Sequence, residues 1–121
     1  MDGRRNETVS RGSWPEYLKG FSGQHHGWLV TIQTSRHGAE PATVVREQPL
    51  DAIGVLPNGS IEISISADPP ITHRVSNPSA IRIVESAPRA TESLTIESVS
   101  ERTDIRFRTA LPPEMVDGVI P

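Results

Sequence analysis

Four histidines, His25, His26, His37 and His73, have the side chains best suited to chemistry in this 121-residue chain. Neutral imidazole is the commonest protein metal ligand and the usual proton shuttle near neutral pH. His25 and His26 are neighbours, and neighbouring strand residues point to opposite faces, so these two do not hold one ion together. A site would therefore combine one of them with His73 and a carboxylate.

The spacing of His25 and His73 matches no ligand motif such as His-x-x-x-His. Two interpretations stay open: a metal or small-anion site, or structural histidines whose ring nitrogens bond to backbone carbonyls. We favour the structural one, because ligand spacing is missing. We expect no metal and no cofactor. The carboxylates that could complete a site are Glu47, Asp51 and Glu85.

Three arginines, Arg82, Arg106 and Arg108, fall at outward positions of expected strands, as do glutamates such as Glu97. Opposite charges across a strand pair contribute about 0.2–1 kcal/mol, which is typical of a solvated sheet face. The alternative is a groove in which guanidinium groups bind a phosphate or a carboxylate. The candidate ligand-binding residues are His25, His73, Arg82 and Arg106.

Composition argues against several classes of function. The chain has no cysteine, which excludes disulfide frameworks, thiolate zinc sites and cysteine nucleophiles. Its 13 serines lie in no Gly-x-Ser-x-Gly elbow, and no phosphate loop or dinucleotide fingerprint occurs, so no catalytic residue is assigned. The formal net charge of −3 makes nucleic acid an unfavourable partner, since phosphate binding needs a basic surplus.

A short helix precedes the strands. Ser13 and Glu16 fit a capping box, with the Ser13 hydroxyl capping the first turn. Trp14, Tyr17, Leu18 and Phe21 follow at i, i+3, i+4 and i+7, which is one helical face. Gly20 and Gly23 predict an end after about two turns. We expect the aromatic residues between positions 14 and 28 to join this helix to the first strand.

Beyond His26 the apolar period changes from 3.6 to 2, which indicates strands. Ile and Val total 21 against six Leu, a balance that favours sheet over helix. Pro57-Asn58-Gly59-Ser60 is the strongest hairpin signal. The expected strands cover 28–33, 43–47, 50–56, 61–66, 71–76, 81–86, 94–99 and 104–109, with the third either separate or a bent continuation across Pro49.

The absence of helical patterns between the strands predicts an antiparallel, mainly β fold of about six to seven strands. A small barrel with the N-terminal helix covering one end or face is preferred, and a sandwich is the alternative. Residues 13–110 are expected to form this single domain. Residues 1–12 are expected to be a disordered tail, and residues 111–121 a flexible one.

Several segments together resemble a family of short bacterial proteins catalogued only as a domain of unknown function. The resemblance covers most of residues 14–108, and it implies no activity, substrate or cofactor. It draws attention to His25 and His73 as polar residues of these motifs. The segments are Ser22-x-Gln24-His25-x-Gly27-Trp28-Leu29-Val30-Thr31, Glu47-x-Pro49-Leu50-x-x-Ile53, Ile71-Thr72-His73-x-Val75-x-Asn77-Pro78, Leu94-x-Ile96-Glu97-Ser98 and Ile105-Arg106-Phe107.

Size, fold and the missing catalytic patterns favour a non-enzymatic interaction or binding module. Exposed strand edges favour pairing with a protein partner or with a second copy, so a homodimer is one expectation. The alternative is a metal- or small-anion-binding protein that uses His25 and His73 with a carboxylate. No apolar run approaches the ~18 residues that span a bilayer, and no secretory signal is recognisable, so we expect a cytoplasmic protein without a membrane partner.

Overall fold

The computed structural model describes residues 5–36, 39–87 and 90–108, which form eight strands, one α-helix and one turn of 3-10 helix. No helix of this part of the chain is long and apolar enough to cross a membrane. The elements in chain order are β1 (Arg5–Val9), the 3-10 turn (Arg11–Ser13), α1 (Trp14–His25), β2 (Leu29–Arg36), β3 (Ala42–Val55), β4 (Ile61–Ile65), β5 (Ile71–Val75), β6 (Pro78–Ala87), β7 (Ala90–Ser98) and β8 (Glu101–Arg108).

The strands form one antiparallel sheet in the order β1-β6-β7-β8-β2-β3-β4-β5. The mainly β, antiparallel prediction is confirmed. The sheet does not close, because β1 and β5 stand at opposite ends of this order. The predicted alternatives were a small barrel and a sandwich, and the described residues form an open sheet with features of both.

The core consists of the inward-facing rows of these strands. In β4, the burial alternates between buried isoleucines and partly exposed polar residues, as period-2 sequence patterning requires. In β8, Thr103, Ile105 and Phe107 face inwards while Arg102, Arg106 and Arg108 face out. The largest fully buried side chains are Leu18, Ile32, Leu50, Ile53, Ile61, Ile63, Ile65, Ile81, Ile83, Leu94, Ile96 and Ile105.

Strand β3 is one 14-residue strand with irregular register. Its first half pairs with β2 and its second half with β4, and register shifts fall between Val30 and Ile32 and between Leu50 and Ala52. Glu47, near the first shift, has a φ of 46°, outside regular strand geometry. Of the two sequence alternatives for residues 43–56, the structure therefore has the continuous strand.

Helix α1 is longer than the sequence predicted, with 12 residues that continue through Gly20 and Gly23 to His25. The capping prediction is wrong as well, since Ser13 makes no side-chain cap hydrogen bond. The helix lies on β3. Packing overrides the weak helix propensity of glycine, because the buried face extends beyond both glycines to His25.

The N-terminal segment is ordered from Arg5, so the predicted disordered tail over residues 1–12 is wrong for residues 5–12. Strand β1 pairs with β6 from Arg5↔Glu85 to Val9↔Ile81. The buried indole of Trp14 donates from Nε1 to the Val9 carbonyl oxygen at 3.0 Å. Local polar composition does not reveal this pairing, which depends on a strand some 75 residues away. The predicted tail at 111–121 lies outside the described residues.

Candidate functional site

His25, the last residue of α1, has hydrogen-bond partners at both ring nitrogens. It is 5% exposed, and its Nδ1 lies 2.9 Å from the carbonyl oxygen of Phe21. A carbonyl only accepts, so Nδ1 carries the proton and Nε2 accepts from the Thr91 hydroxyl at 3.0 Å. The ring stacks on Phe21 at 4.0 Å between centroids and lies 4.7 Å from the Trp28 ring and 5.4 Å from Phe107. Both ring nitrogens are therefore used inside the aromatic junction between α1 and the sheet.

The surroundings of α1 favour the neutral forms of two of its side chains, His25 and Tyr17. Burial lowers the pKa of His25, and the Phe21 carbonyl and Glu85 oppose that shift only in part. Burial together with Glu85 and Glu7 raises the pKa of Tyr17 to about 12. A cleft of about 470 Å³ opens beside His25, and Glu85 lines it. This end of the molecule is therefore a poor place for an anion.

His73 faces the core from the edge strand β5. It pairs in register with Ile63 of β4 and lies in the same row as Ile71 and Val75. Its Nε2 is buried without a hydrogen-bond partner among the described residues. Burial lowers the pKa of His73, and Glu101 opposes this. Among the residues that the structure describes, no group of metal ligands includes His73.

The two histidines do not share a site. His25 contacts Phe107 near the end of β8, whereas Glu101, which influences His73, begins that strand. In the described part of the chain, no group of three or more His, Cys, Asp or Glu residues is placed to hold a metal ion. A metal site built on His25 and His73 therefore has no geometric support.

The outer face of the sheet holds most of its arginines in ion pairs. Arg82 lies 3.4 Å from Glu97, and Arg102 lies 3.2 Å from Asp104. Arg82, a predicted ligand-binding residue, is thus partly neutralised by its cross-strand neighbour. These ion pairs support the interpretation of the outer face as a solvated, charged surface.

Arg106, the fourth candidate, is different. It is exposed on β8 and lies opposite Ser93 of β7 and Thr31 of β2 in the register of the sheet. Two clefts meet at Arg106 and Phe107, one of about 500 Å³ and one of about 100 Å³. Sequence reasoning found Arg106 but missed Ser93 and Thr31, because strand register across β7, β8 and β2 is not readable from local patterning.

Strand β5 supplies a second surface. Among the described residues it pairs with β4 on one side only, so the backbone groups of its other side have no strand partner. Its polar residues Thr72 and Arg74 are exposed, and Arg74 Nε contacts Glu62 at 3.0 Å. An edge strand of this kind is a template for pairing with another strand.

The comparisons with known proteins identify a family and nothing more specific. Neither the curated proteins nor the solved structures gave a match. The model of a family of unknown function, DUF5335, matches residues 5–115. This agrees with the resemblance that the sequence motifs carry. Because the match spans nearly the whole chain, the protein belongs to the DUF5335 family.

Proposed function

We propose that this protein is a non-enzymatic interaction module that binds its partner by strand pairing at the edge of β5. The observation that carries the proposal is the position of β5 at the end of an open sheet, with β4 on one side only. Main-chain hydrogen bonds to an added strand provide affinity, and alternate side chains provide specificity. The proposal includes a cytoplasmic location in a bacterium, which fractionation of cells and immunoblotting would test.

The occupant that β5 fits best is β5 of a second copy. In an antiparallel pair with its two-fold axis at His73, Ile71 lies opposite Val75 and Thr72 lies opposite Arg74. On one side of the sheet Ile71 then faces Val75, with His73 opposite its own copy at the axis, and on the other side no like charges lie directly opposite each other. Such self-complementarity is what a two-fold symmetric interface requires.

Light scattering after gel filtration tests this pairing. We expect the native chain to show twice its 13.2 kDa mass at high concentration. The variant Thr72→Arg places a second guanidinium opposite Arg74 of the other copy, and like charges across a strand pair destabilise it. This variant should therefore be a monomer.

Gln24→Arg is the matched control, because Gln24 is exposed beside the cleft that His25 and Glu85 line, on the helix that lies on β3. It adds the same charge and should leave the dimer intact. A native chain that stays monomeric at high concentration overturns the proposal. So does a Thr72→Arg variant that remains a dimer.

A further inference from the structure

Arg106 carries a guanidinium without a charged partner. Within the described residues it makes no ion pair and no hydrogen bond, although it lies on the same face as several paired arginines. Arg46 shares this property but lines neither of the clefts at Phe107. The arginines that do pair with carboxylates are Arg36, Arg74, Arg82, Arg102 and Arg108.

The local backbone explains why Arg106 stays unpaired. Glu47 lines the same small cleft, but its carboxylate binds Arg108, whose Nε lies 2.9 Å from Oε1. Glu47 lies where the register of β2 and β3 shifts, and such irregularities redirect side chains. The pair of Glu47 and Arg108 is neutral overall. The cleft therefore keeps the positive charge of Arg106.

Two hydroxyl groups flank this charge. Ser93 and Thr31 are the direct cross-strand neighbours of Arg106, and directly opposed side chains in a sheet lie about 4.5–5.5 Å apart at Cβ. Thr31 Oγ1 accepts the backbone N–H of Glu47 at 3.2 Å, which leaves its own O–H to donate. Ser93 Oγ has no partner among the described residues. A guanidinium between two hydroxyl donors is a suitable arrangement for an oxyanion.

The clefts set the size of the ligand. The small one, on the Thr31 side, has about 100 Å³, which is the space of roughly three waters at ~30 Å³ each and accepts a phosphate group. The larger one has about 500 Å³, and the side chain of Val84 gives it an apolar wall. Glu92 also lines the larger cleft. The small cleft therefore suits the phosphate group of a ligand, and the apolar body of that ligand lies beside Val84.

We propose that Arg106, Thr31 and Ser93 form a binding site for a small phosphate monoester with an apolar body. The guanidinium and the two hydroxyl groups donate to the phosphate oxygens, and Val84, opposite Ser93 on the same face of the sheet, contacts the body. The site lies on β8 and its neighbours, apart from the β5 edge, so it is independent of the proposed dimer.

Isothermal titration calorimetry at low ionic strength and pH 7.5 tests this site with three probes: phenyl phosphate, inorganic phosphate and benzoate. We expect saturable binding of phenyl phosphate, weaker binding of inorganic phosphate, which lacks the ring, and weaker binding of benzoate, which lacks the tetrahedral group. Arg106→Gln removes the charge-assisted bond and should weaken phenyl phosphate binding at least about tenfold. Backbone amide shifts of Thr31, Ser93 and Arg106 in NMR spectra should move during the titration.

Arg82→Gln is the matched control. It removes the same charge from the same face of the sheet, and Arg82 already forms an ion pair with Glu97. Its affinity should stay within about twofold of the parent, and circular dichroism should show both variants folded. Absence of saturable phenyl phosphate binding overturns the site. Equal losses in both variants overturn it too, since they indicate non-specific attraction. Tighter binding of benzoate than of phenyl phosphate overturns the choice of phosphate.

Discussion

His25 and His73 differ in the hydrogen bonding of their imidazole rings. His25 satisfies both ring nitrogens, through the Phe21 carbonyl and the Thr91 hydroxyl. His73 points into the core with Nε2 unpartnered within the described residues. The sequence favoured structural histidines over ligands, and the backbone carbonyl contact of His25 is the one it expected. The Thr91 contact depends on a strand 66 residues away, so it was not accessible from sequence.

The two histidines make stability depend on pH. Burial lowers both folded-state pKa values below the unfolded value of about 6.5. The folded protein then binds fewer protons than the unfolded chain, so the free energy of unfolding falls as pH drops below 6.5 and on through the folded pKa. His73→Leu, which keeps the inward row apolar, should lose less stability between pH 7.5 and 5 than the parent.

Urea denaturation at the two pH values, at one protein concentration, measures this difference. Because His73→Leu also removes a buried polar atom without a partner, its stability at pH 7.5 should equal or exceed that of the parent. An identical drop in both proteins would show that His73 is not responsible.

At the scale of elements, the junction of α1 with the sheet depends more on Phe21 than on Trp28. Phe21 is 5% exposed and contacts the rings of Tyr17, His25 and Phe107, at 5.9, 4.0 and 5.2 Å between centroids. Trp28 is only partly buried at the edge of the cluster. The aromatic pattern of the sequence predicted a junction of the helix with the first strand that follows it. The helix instead lies on β3, and Phe107 at the junction comes from the last strand.

Phe21→Ala should therefore lower the free energy of unfolding by about 3–5 kcal/mol, as other large truncations in cores do. Trp28→Ala should cost less, because part of its ring already contacts water. Urea denaturation of both variants beside the parent gives the ranking. The reverse order would place the centre of the junction at Trp28.

At the scale of the whole molecule, the sequence predicted the strand pattern but not the strand order. Period-2 alternation located β2 and β4 to β8 to within a few residues, because it records which face each residue turns to the core. The order depends on which edges meet, and that information is spread over the chain. Strand β1 is the clearest case. Its residues are mostly polar, as in a disordered tail, and they form a strand by pairing with β6.

Removal of residues 1–9 tests the contribution of β1 to the whole fold. It deletes the strand and takes from the buried indole of Trp14 its acceptor, the Val9 carbonyl, a loss of at least about 1–3 kcal/mol for an unpaired buried donor. Urea denaturation should show this loss. Trp14→Phe should destabilise the full chain but cost less in the shortened one, because the hydrogen bond is already gone there. An unchanged midpoint after the deletion would mean that β1 contributes nothing.

The pairing of β1 with β6 also has a consequence during synthesis. Arg5 leaves the ribosome long before Glu85, its register partner, exists. At roughly 5–20 residues per second, the interval is about 4–16 s. Throughout that time β1 has no native strand beside it, so the pairing of β1 in the sheet waits until β6 has been translated.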